Sequence, residues 1–391
     1  MVDTQARPAD WLPAEAALRR LGVARQTLYA YVSRGLLRAR PDPDDPKRSL
    51  YDRFGVEDLV QRRRRGRARR VVAASTIDFG EPVLTSRITQ IADGRLWYRG
   101  RDAIRLAETA TLEDTAALLW DVPSLPVLPP SDEDPAPDGG TTTPIARCLR
   151  RIAGLDGTRA EPPHQETAAA GSAAAALRAM AEAAGNARAD GPLHLVLARA
   201  WGVDDAGADL IRRVLVLCAD HELNASAFAV RVVASTGAAL GACLLAGLAA
   251  LSGPRHGGMT GRVRALLAQP DGAVAEDLRN GAEAPGFGHR LYPDIDPRAA
   301  ALLAAFPLGP RCAGLFRTME AVTGLRPNID AALVALEEHL ELPDGSALAL
   351  FAVGRTAGWI AHALEQRAAG QLIRPRAVYA GPAPGEGRSG S

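Results

Sequence analysis

Cysteine is scarce in this chain, four in 391 residues, and the four are far apart. Cys148, Cys218, Cys243 and Cys312 each sit beside Leu or Ala, as reduced cysteines used as small apolar fillers do, so no disulfide framework is expected. No pair of Cys or His stands at the spacing of a metal site, so no metal is expected, and no glycine-rich phosphate loop occurs. No stretch of about twenty residues is both uncharged and bulky enough to span a bilayer. The longest candidate, Val230 to Leu251, is rich in Ala and Gly, carries Arg231 and reads as a buried helix. The amino terminus lacks a basic start followed by an apolar core and a small-residue cleavage site, so the expected location is cytoplasmic, with no membrane partner.

What is present is length and apolar content. The 391 residues, 47% hydrophobic with much of that Ala, exceed one small core and suggest two or three folding units. The net charge of +1 hides an asymmetry. Residues 1–70 hold 17 Arg and Lys against 9 Asp and Glu, which leaves 29 against 36 in the remainder. A concentration of one sign at one end points to a polyanionic partner there.

In that basic segment, Leu12, Ala16, Ala17 and Leu21 recur at helical spacing up to Gly22, and Leu28, Val32 and Leu36 mark a second helix. The run from Ala16 to Tyr31 resembles the helix-turn-helix of the MerR and excisionase group. A Pro- and Asp-rich loop, Pro41 to Lys47, then Ser49 to Asp52 as a small wing and a third helix over Val56 to Arg65 complete a winged-helix reading. The resemblance puts Arg25, Gln26 and Thr27 in the first turn of the second helix, where side chains meet base edges, so DNA is the partner it implies. The arginine run Arg62 to Arg70 suits phosphate contact; the plain alternative is a solvated linker behind a helical hairpin that contacts only protein.

Further on, Val83 to Ile91 alternates apolar with polar, Ala92 to Arg95 reads as a turn, and Leu96 to Gly100 follows, a small hairpin. Pro123 to Pro144 reads as a surface loop, Ala168 to Ala187 as one helix, and nearly everything beyond Ala187 as helix. The tail from Gly381 is small, polar and rich in Pro and Gly, and reads as disordered.

Four runs carry chemistry-bearing residues in turn-forming contexts: Asp220 to Ser226, Gly253 to Gly258, Gly286 to Arg290, and Arg326 to Asp330. Together with Gly354 to Trp359 and Ile373 to Arg376 they resemble the citrate synthase family, and Tyr98 to Ala107 and Thr111 to Trp120 resemble the front of those enzymes. The fold so implied is all-α, a citrate synthase-like two-domain helical fold preceded by the small winged module. Its parts are 1–70; a larger domain over 75–255 and 336–380; a smaller one over 257–335 that closes over substrates; and the tail 381–391.

The resemblance implies condensation of acetyl-CoA or propionyl-CoA with oxaloacetate, giving citrate or 2-methylcitrate. Removing a proton from a thioester methyl needs a carboxylate plus a donor at the oxygen where charge develops, and one such donor is worth about 10² to 10³ in rate. By family position, Asp330 is the base, a neutral His256 donates to the thioester oxygen, and His289 polarises the oxaloacetate carbonyl. His221, Arg298, Arg355 and Arg374 match substrate ligands, Arg374 serving a neighbouring subunit's pocket, so a homodimer is expected. The CoA thioester is a co-substrate and no permanent cofactor is implied. Taken singly, a His near Gly is more often structural, and an Asp after Asn often caps a helix. His164, His194, His339 and His362 lack family-like contexts and read as structural.

The chain also departs from the pattern. Tyr292 is followed by Pro293 and Asp294 where many relatives carry a basic residue for CoA, Met259 and Thr260 stand where an asparagine is common, and the span from Trp120 to His221 is short. Arg290, with Arg262 and Arg264, is the candidate replacement charge for CoA beside Gly288. Two rival readings are a DNA-binding regulator whose synthase-like body senses CoA or a dicarboxylate, and a lyase running the reverse cleavage.

Overall fold

The computed structural model describes residues 11–33, 36–43, 45, 48–53, 55–57, 59–60, 84–126, 130–131, 142–155, 166–377 and 379, with no side chains for 166–170. The arginine run 62–70 and the tail 381–391 lie outside the described residues, as does His164. The chain forms two compact units, Met1–Thr85 and Ser86–Ser391.

In the first unit, β1 (Trp11–Pro13) leads into α1 (Ala14–Leu21), then α2 (Arg25–Ser33), β2 (Ala39–Pro41) and β3 (Ser49–Asp52). The strands form an antiparallel sheet in the order β1-β3-β2. Leu12, expected in the first helix, lies in β1. The residue before a proline is pushed to extended backbone, and Pro13 is itself extended and serves as the N-cap of α1. Ala17, Leu28, Tyr51 and Val56 close a small core of their own. Arg25 and Gln26 stay exposed at the start of α2, and Thr27 is half-buried.

The second unit begins with an antiparallel meander, β4 (Thr89–Ala92), β5 (Arg95–Tyr98) and β6 (Arg101–Asp102). The expected hairpin is there, with a third strand added. Asp93 and Gly94 both take positive φ, 51° and 69°, the pair of left-handed residues that a two-residue hairpin turn demands.

The rest is helical: α3 (Ala103–Thr109), α4 (Leu112–Trp120), α5 (Pro144–Gly154), α6 (Glu166–Gly185), α7 (Leu193–Ala200) and α8 (Asp205–Leu217). Then follow α9 (Ala225–Ser235), α10 (Leu240–Leu251), α11 (Met259–Leu267), α12 (Asp271–Arg279), α13 (Pro297–Leu303), α14 (Pro310–Thr323), α15 (Ile329–His339) and α16 (Ser346–Ala369). The apolar stretch 230–251, read above as one buried helix, is parts of two. The chain turns at Gly237, φ 81°, between α9 and α10, a break that hydropathy alone does not register.

Helix α16 is the axis of the core and packs on α4, α5, α6, α8, α9, α10 and α15. Its length and composition would suit a membrane span, yet 89% of that window is buried by the fold. It also carries Arg355 and His362, both buried, so it is here a core helix with functional cargo. Trp359, wholly buried on it, donates its indole N–H to Ser226 Oγ at 3.1 Å, the pairing a buried indole requires.

Close approach at one point makes this packing possible. Gly358 N–H donates to Ala219 O at 3.0 Å, and a Cβ at Gly358 would stand 2.4 Å from that oxygen and 2.5 Å from Asp220 Oδ1. Gly358→Ala should therefore destabilise the protein by about 1–3 kcal/mol through overpacking. Gly261→Ala on α11, with nothing within 4 Å of the added methyl, should be neutral or stabilising by about 0.5–1 kcal/mol. Urea unfolding of both variants tests this; equal stabilities would refute the close-packing account.

Candidate active site

Two of the glycine- and proline-rich runs zip together through their backbones. Gly288 N–H donates to Arg326 O (2.8 Å), Asn328 N–H to Gly286 O (2.9 Å), and Phe287 pairs with Pro327 in an antiparallel bridge. Asn328 Nδ2 adds a bond to Gly288 O at 3.0 Å. The result places His289 beside the start of α15. There Asn328, not Asp330, is the cap: its side chain accepts the Asp330 N–H at 3.0 Å. The carboxylate of Asp330 is thereby spared a capping role.

That carboxylate is poised for proton chemistry. Asp330 is half-buried as a residue, but Oδ1 is enclosed and has no hydrogen-bond partner among the described residues. Burial raises its pKa to about 7; Arg298 pulls the other way, Asp296 adds to the rise, and Arg355 opposes it. A carboxyl group with a pKa near the working pH is suited to general-base catalysis.

Asp296, buried, caps α13 and binds the arginine two residues on. Its Oδ1 accepts Arg298 Nε (2.9 Å) and its Oδ2 accepts Arg298 Nη2 (2.7 Å), a bidentate pair with both side chains nearly inaccessible. Oδ2 also accepts the Ile329 N–H at 3.1 Å, so the same carboxylate grips the first turn of α15, one residue from Asp330. Arg355, on α16, is held by Nε to Cys218 O at 2.9 Å, with its guanidinium 4.9 Å above the Phe351 ring. Its Nη2 is enclosed and has no partner among the described residues. A buried, half-satisfied guanidinium near an enclosed carboxylate describes a place for an anion.

Three imidazoles join them, and all are kept neutral. Burial is the first cause in each, reinforced by the arginines: His221 falls well below the usual range, His256 to about 3, and His289 to about 4. His256 precedes α11, and its Nε2 lies 2.8 Å from Ser226 Oγ. His289 Nδ1 accepts the Leu291 N–H at 3.1 Å, so the ring proton resides on Nε2 and that nitrogen is a donor. His221 Nε2 meets Tyr292 Oη at 3.0 Å, and the rings of His221, His289 and Tyr292 stand 4.9–5.6 Å apart.

The loop of His221 is anchored by the meander. Thr89 Oγ1 donates to the buried Asp220 at 2.5 Å, Ile91 N–H donates to Glu222 Oε1 at 3.1 Å, and Tyr98 Oη bonds to Val216 O at 3.1 Å. His362 Nε2 stands 3.3 Å from Asp220 Oδ1. His339 stacks on Phe306.

Six of the residues singled out in the sequence thus act electrostatically on one another in one region: His221, His256, His289, Arg298, Asp330 and Arg355. Gly288 belongs to the loop zip and lines a small cavity of about 110 Å³ with His289, Tyr292 and Leu325. Arg290 is exposed next to it. Arg374 is exposed in the non-helical segment after α16, and no hydrogen bond or ion pair among the described residues joins it to the cluster. Arg25, Gln26 and Thr27 belong to the other unit. Among the described residues no three His, Cys, Asp or Glu side chains are grouped to hold a metal. Asp296, Tyr292 and Ser226 carry parts of the site that sequence reading passed over. Each lies within or just beyond a run already singled out, but only contacts across the fold reveal what it does.

The description "Citrate synthase, C-terminal domain" matches residues 155–376, more than half of the chain. A "Putative citrate synthase 2" of Mycobacterium tuberculosis is 38% identical over 187 residues, 43% of this chain and 50% of that protein. "2-Methylcitrate synthase 1" of Corynebacterium glutamicum is 33% identical over 208 residues, 47% of this chain and 55% of that one. The chain thus spans about half the length of the curated relatives it matches. Among solved structures, the citrate synthase of Thermoplasma acidophilum in ternary complex with carboxymethyl coenzyme A and oxaloacetate is similar, with a TM-score of 0.61 and 22% identity. That likeness covers 78% of this chain and 95% of the other.

Building this site costs stability in a pH-dependent way. A carboxyl whose folded pKa, about 7, exceeds its unfolded value stabilises the fold only while protonated. The contribution of this group to stability is therefore fullest below about pH 4 and is lost as pH rises to about 7, up to about 4 kcal/mol at 1.36 kcal/mol per unit. Asp330→Asn should remove that slope and be the more stable protein at about pH 8, the difference vanishing near pH 4. Denaturant unfolding across that range tests it, and parallel pH profiles for the two proteins would contradict the shift.

Proposed function

The chain belongs to the citrate synthase family, and from that membership we propose that it condenses acetyl-CoA or propionyl-CoA with oxaloacetate, forming citrate or 2-methylcitrate and free CoA. The observation that carries the reading is the enclosed Asp330 carboxylate, held near neutral pKa beside uncharged imidazoles and buried guanidinium groups.

In this reading Asp330 takes a proton from the acyl carbon next to the thioester. His256, uncharged, donates a hydrogen bond to the thioester oxygen as negative charge gathers there. The enolised carbon attacks the ketone carbon of oxaloacetate, whose oxygen is polarised by the Nε2–H of His289; the alkoxide so formed takes up one proton to become the new hydroxyl, balancing the one that Asp330 removes and returns to solvent. Water then cleaves the condensed thioester, releasing CoA. Arg298, Arg355 and His221 hold the dicarboxylate, and Arg374 completes the pocket of a second copy in a homodimer. Arg290 and Gly288 serve the CoA, which is a co-substrate; no permanent cofactor enters. Residues 257–335 act as the smaller domain that closes over the bound pair, against 75–255 and 336–380.

Residues 1–70 act as a winged helix-turn-helix module, with Arg25, Gln26 and Thr27 presented to DNA. The exposed Arg25 and Gln26 at the start of α2 support this. A regulator that merely senses CoA or a dicarboxylate would use the arginines and have no need of an enclosed base, so the enzyme is the better account.

Thiol release from acetyl-CoA and from propionyl-CoA with oxaloacetate tests the reaction. Asp330→Ala should abolish turnover, and His256→Ala should lower kcat by about 10² to 10³, as loss of an oxyanion donor does. The acid limb of kcat/KM should rise with pH towards about 7 as Asp330 ionises. Full activity in Asp330→Ala refutes the assigned base. For the module, Arg25→Ala should weaken DNA retention by about 1–3 kcal/mol and relax its sequence preference at the contacted base; unchanged retention refutes the contact.

A further inference from the structure

Tyr292 lies three residues beyond His289, on the far side of the loop zip, and the condensation chemistry makes no use of it. Yet it is 2% exposed, and its phenolic oxygen is directed at a proposed substrate ligand, 3.0 Å from His221 Nε2. Among the described residues no other hydrogen bond is made by that oxygen. We propose that Tyr292 is a positioning residue that fixes the tautomer of His221, so that His221 offers Nδ1–H to the oxaloacetate carboxylate or carbonyl; this rests on the function proposed above.

Hydrogen-bond satisfaction selects the tautomer. In a neutral imidazole one nitrogen donates and the other accepts, and the neighbour decides which. If His221 Nε2 carried the proton, it would donate to Tyr292 Oη, and the buried phenolic proton would then have no acceptor, an arrangement folded proteins avoid. If Tyr292 O–H donates to Nε2, every group is satisfied and the ring proton of His221 resides on Nδ1. Burial keeps the phenol protonated, since it raises its pKa above the ordinary value, and burial likewise keeps the imidazole neutral. His221 Nδ1 makes no hydrogen bond among the described residues and is not among the enclosed polar atoms, so it remains open for a ligand.

A parallel device operates on the next ring. The backbone N–H of Leu291 occupies Nδ1 of His289 and sends that proton to Nε2. The two neighbouring imidazoles, 5.1 Å apart and nearly perpendicular, are set to opposite tautomers by two residues of one turn, Leu291 and Tyr292. Both then present a donor, as an electron-rich dicarboxylate requires and a neutral acceptor-poor ligand does not.

The test reads the tautomer directly, in the full-length protein without ligand. Long-range proton–nitrogen correlation of 15N-histidine-labelled protein, with His221→Gln used only to assign the resonances, should show the His221 proton on Nδ1 in the wild type. In Tyr292→Phe, which keeps the ring contacts and removes the hydroxyl, the His221 proton should move predominantly to Nε2. KM for oxaloacetate should then rise about tenfold, the order expected for one lost hydrogen bond, while KM for acetyl-CoA changes less than about twofold. A wild-type protein with the proton on Nε2, or a Tyr292→Phe protein with the His221 tautomer unchanged, overturns the proposal. A wild type with the proton on Nδ1 that fails to consume oxaloacetate overturns the function and leaves the tautomer assignment standing.

Discussion

The carboxylate of Asp296 is the contact on which the site's geometry depends. With one oxygen it takes Arg298 Nε, and with the other it takes both Arg298 Nη2 and the backbone amide of Ile329. Burying an arginine to this degree is costly without a matched anion, and burying the anion is costly unless its lone pairs are used. Asp296 meets both conditions and, in doing so, sets the separation between a guanidinium and the helix turn that carries Asp330. Removing either partner would leave an uncompensated charge in the interior, which is why the arrangement is stable although neither ion would be so alone.

From that tether the electrostatics of the whole site follow. Burial drives Asp330 towards its protonated form and the three imidazoles towards their neutral forms; the arginines pull in the same direction on the histidines and the opposite one on the carboxyl group. A base that ionises near neutrality and donors that never carry charge can therefore share one pocket. In water these same side chains would be a fully ionised carboxylate, a weaker base, and imidazoles partly charged.

The scaffold supplies rigidity from several directions. Helix α16 brings Arg355 and Trp359 through the core, the β4–β5 hairpin pins the His221 loop through Thr89 and Ile91, and the zip between 286–288 and 326–328 joins His289 to α15. None of these is a loop held only by its own residues. The segments that carry the functional side chains are fixed by contacts to elements distant in sequence, which is what allows unpartnered polar atoms such as Asp330 Oδ1 and Arg355 Nη2 to persist.

Local chemistry was legible in the chain wherever short-range rules apply. The Asp93-Gly94 turn, the helix over Glu166–Gly185 and the glycine- and asparagine-bounded histidines all follow from backbone preference and spacing. Helical spacing alone puts Leu12 in the first helix, whereas Pro13 keeps it in extended backbone, and apolar composition alone joins 230–251 into one helix, although the chain turns at Gly237. His221, His256, His289, Arg298, Arg355 and Asp330 were singled out by the family resemblance of the runs that carry them, and the fold brings them into one region. What the linear order left open was who holds whom: that Asp296 commits two nitrogens of Arg298, that Asn328 and not Asp330 caps α15, and that Tyr292 meets His221. The last joins residues 71 positions apart; the first two are local in sequence, yet the burial and hydrogen-bond satisfaction that fix all three exist only once the chain has closed on itself.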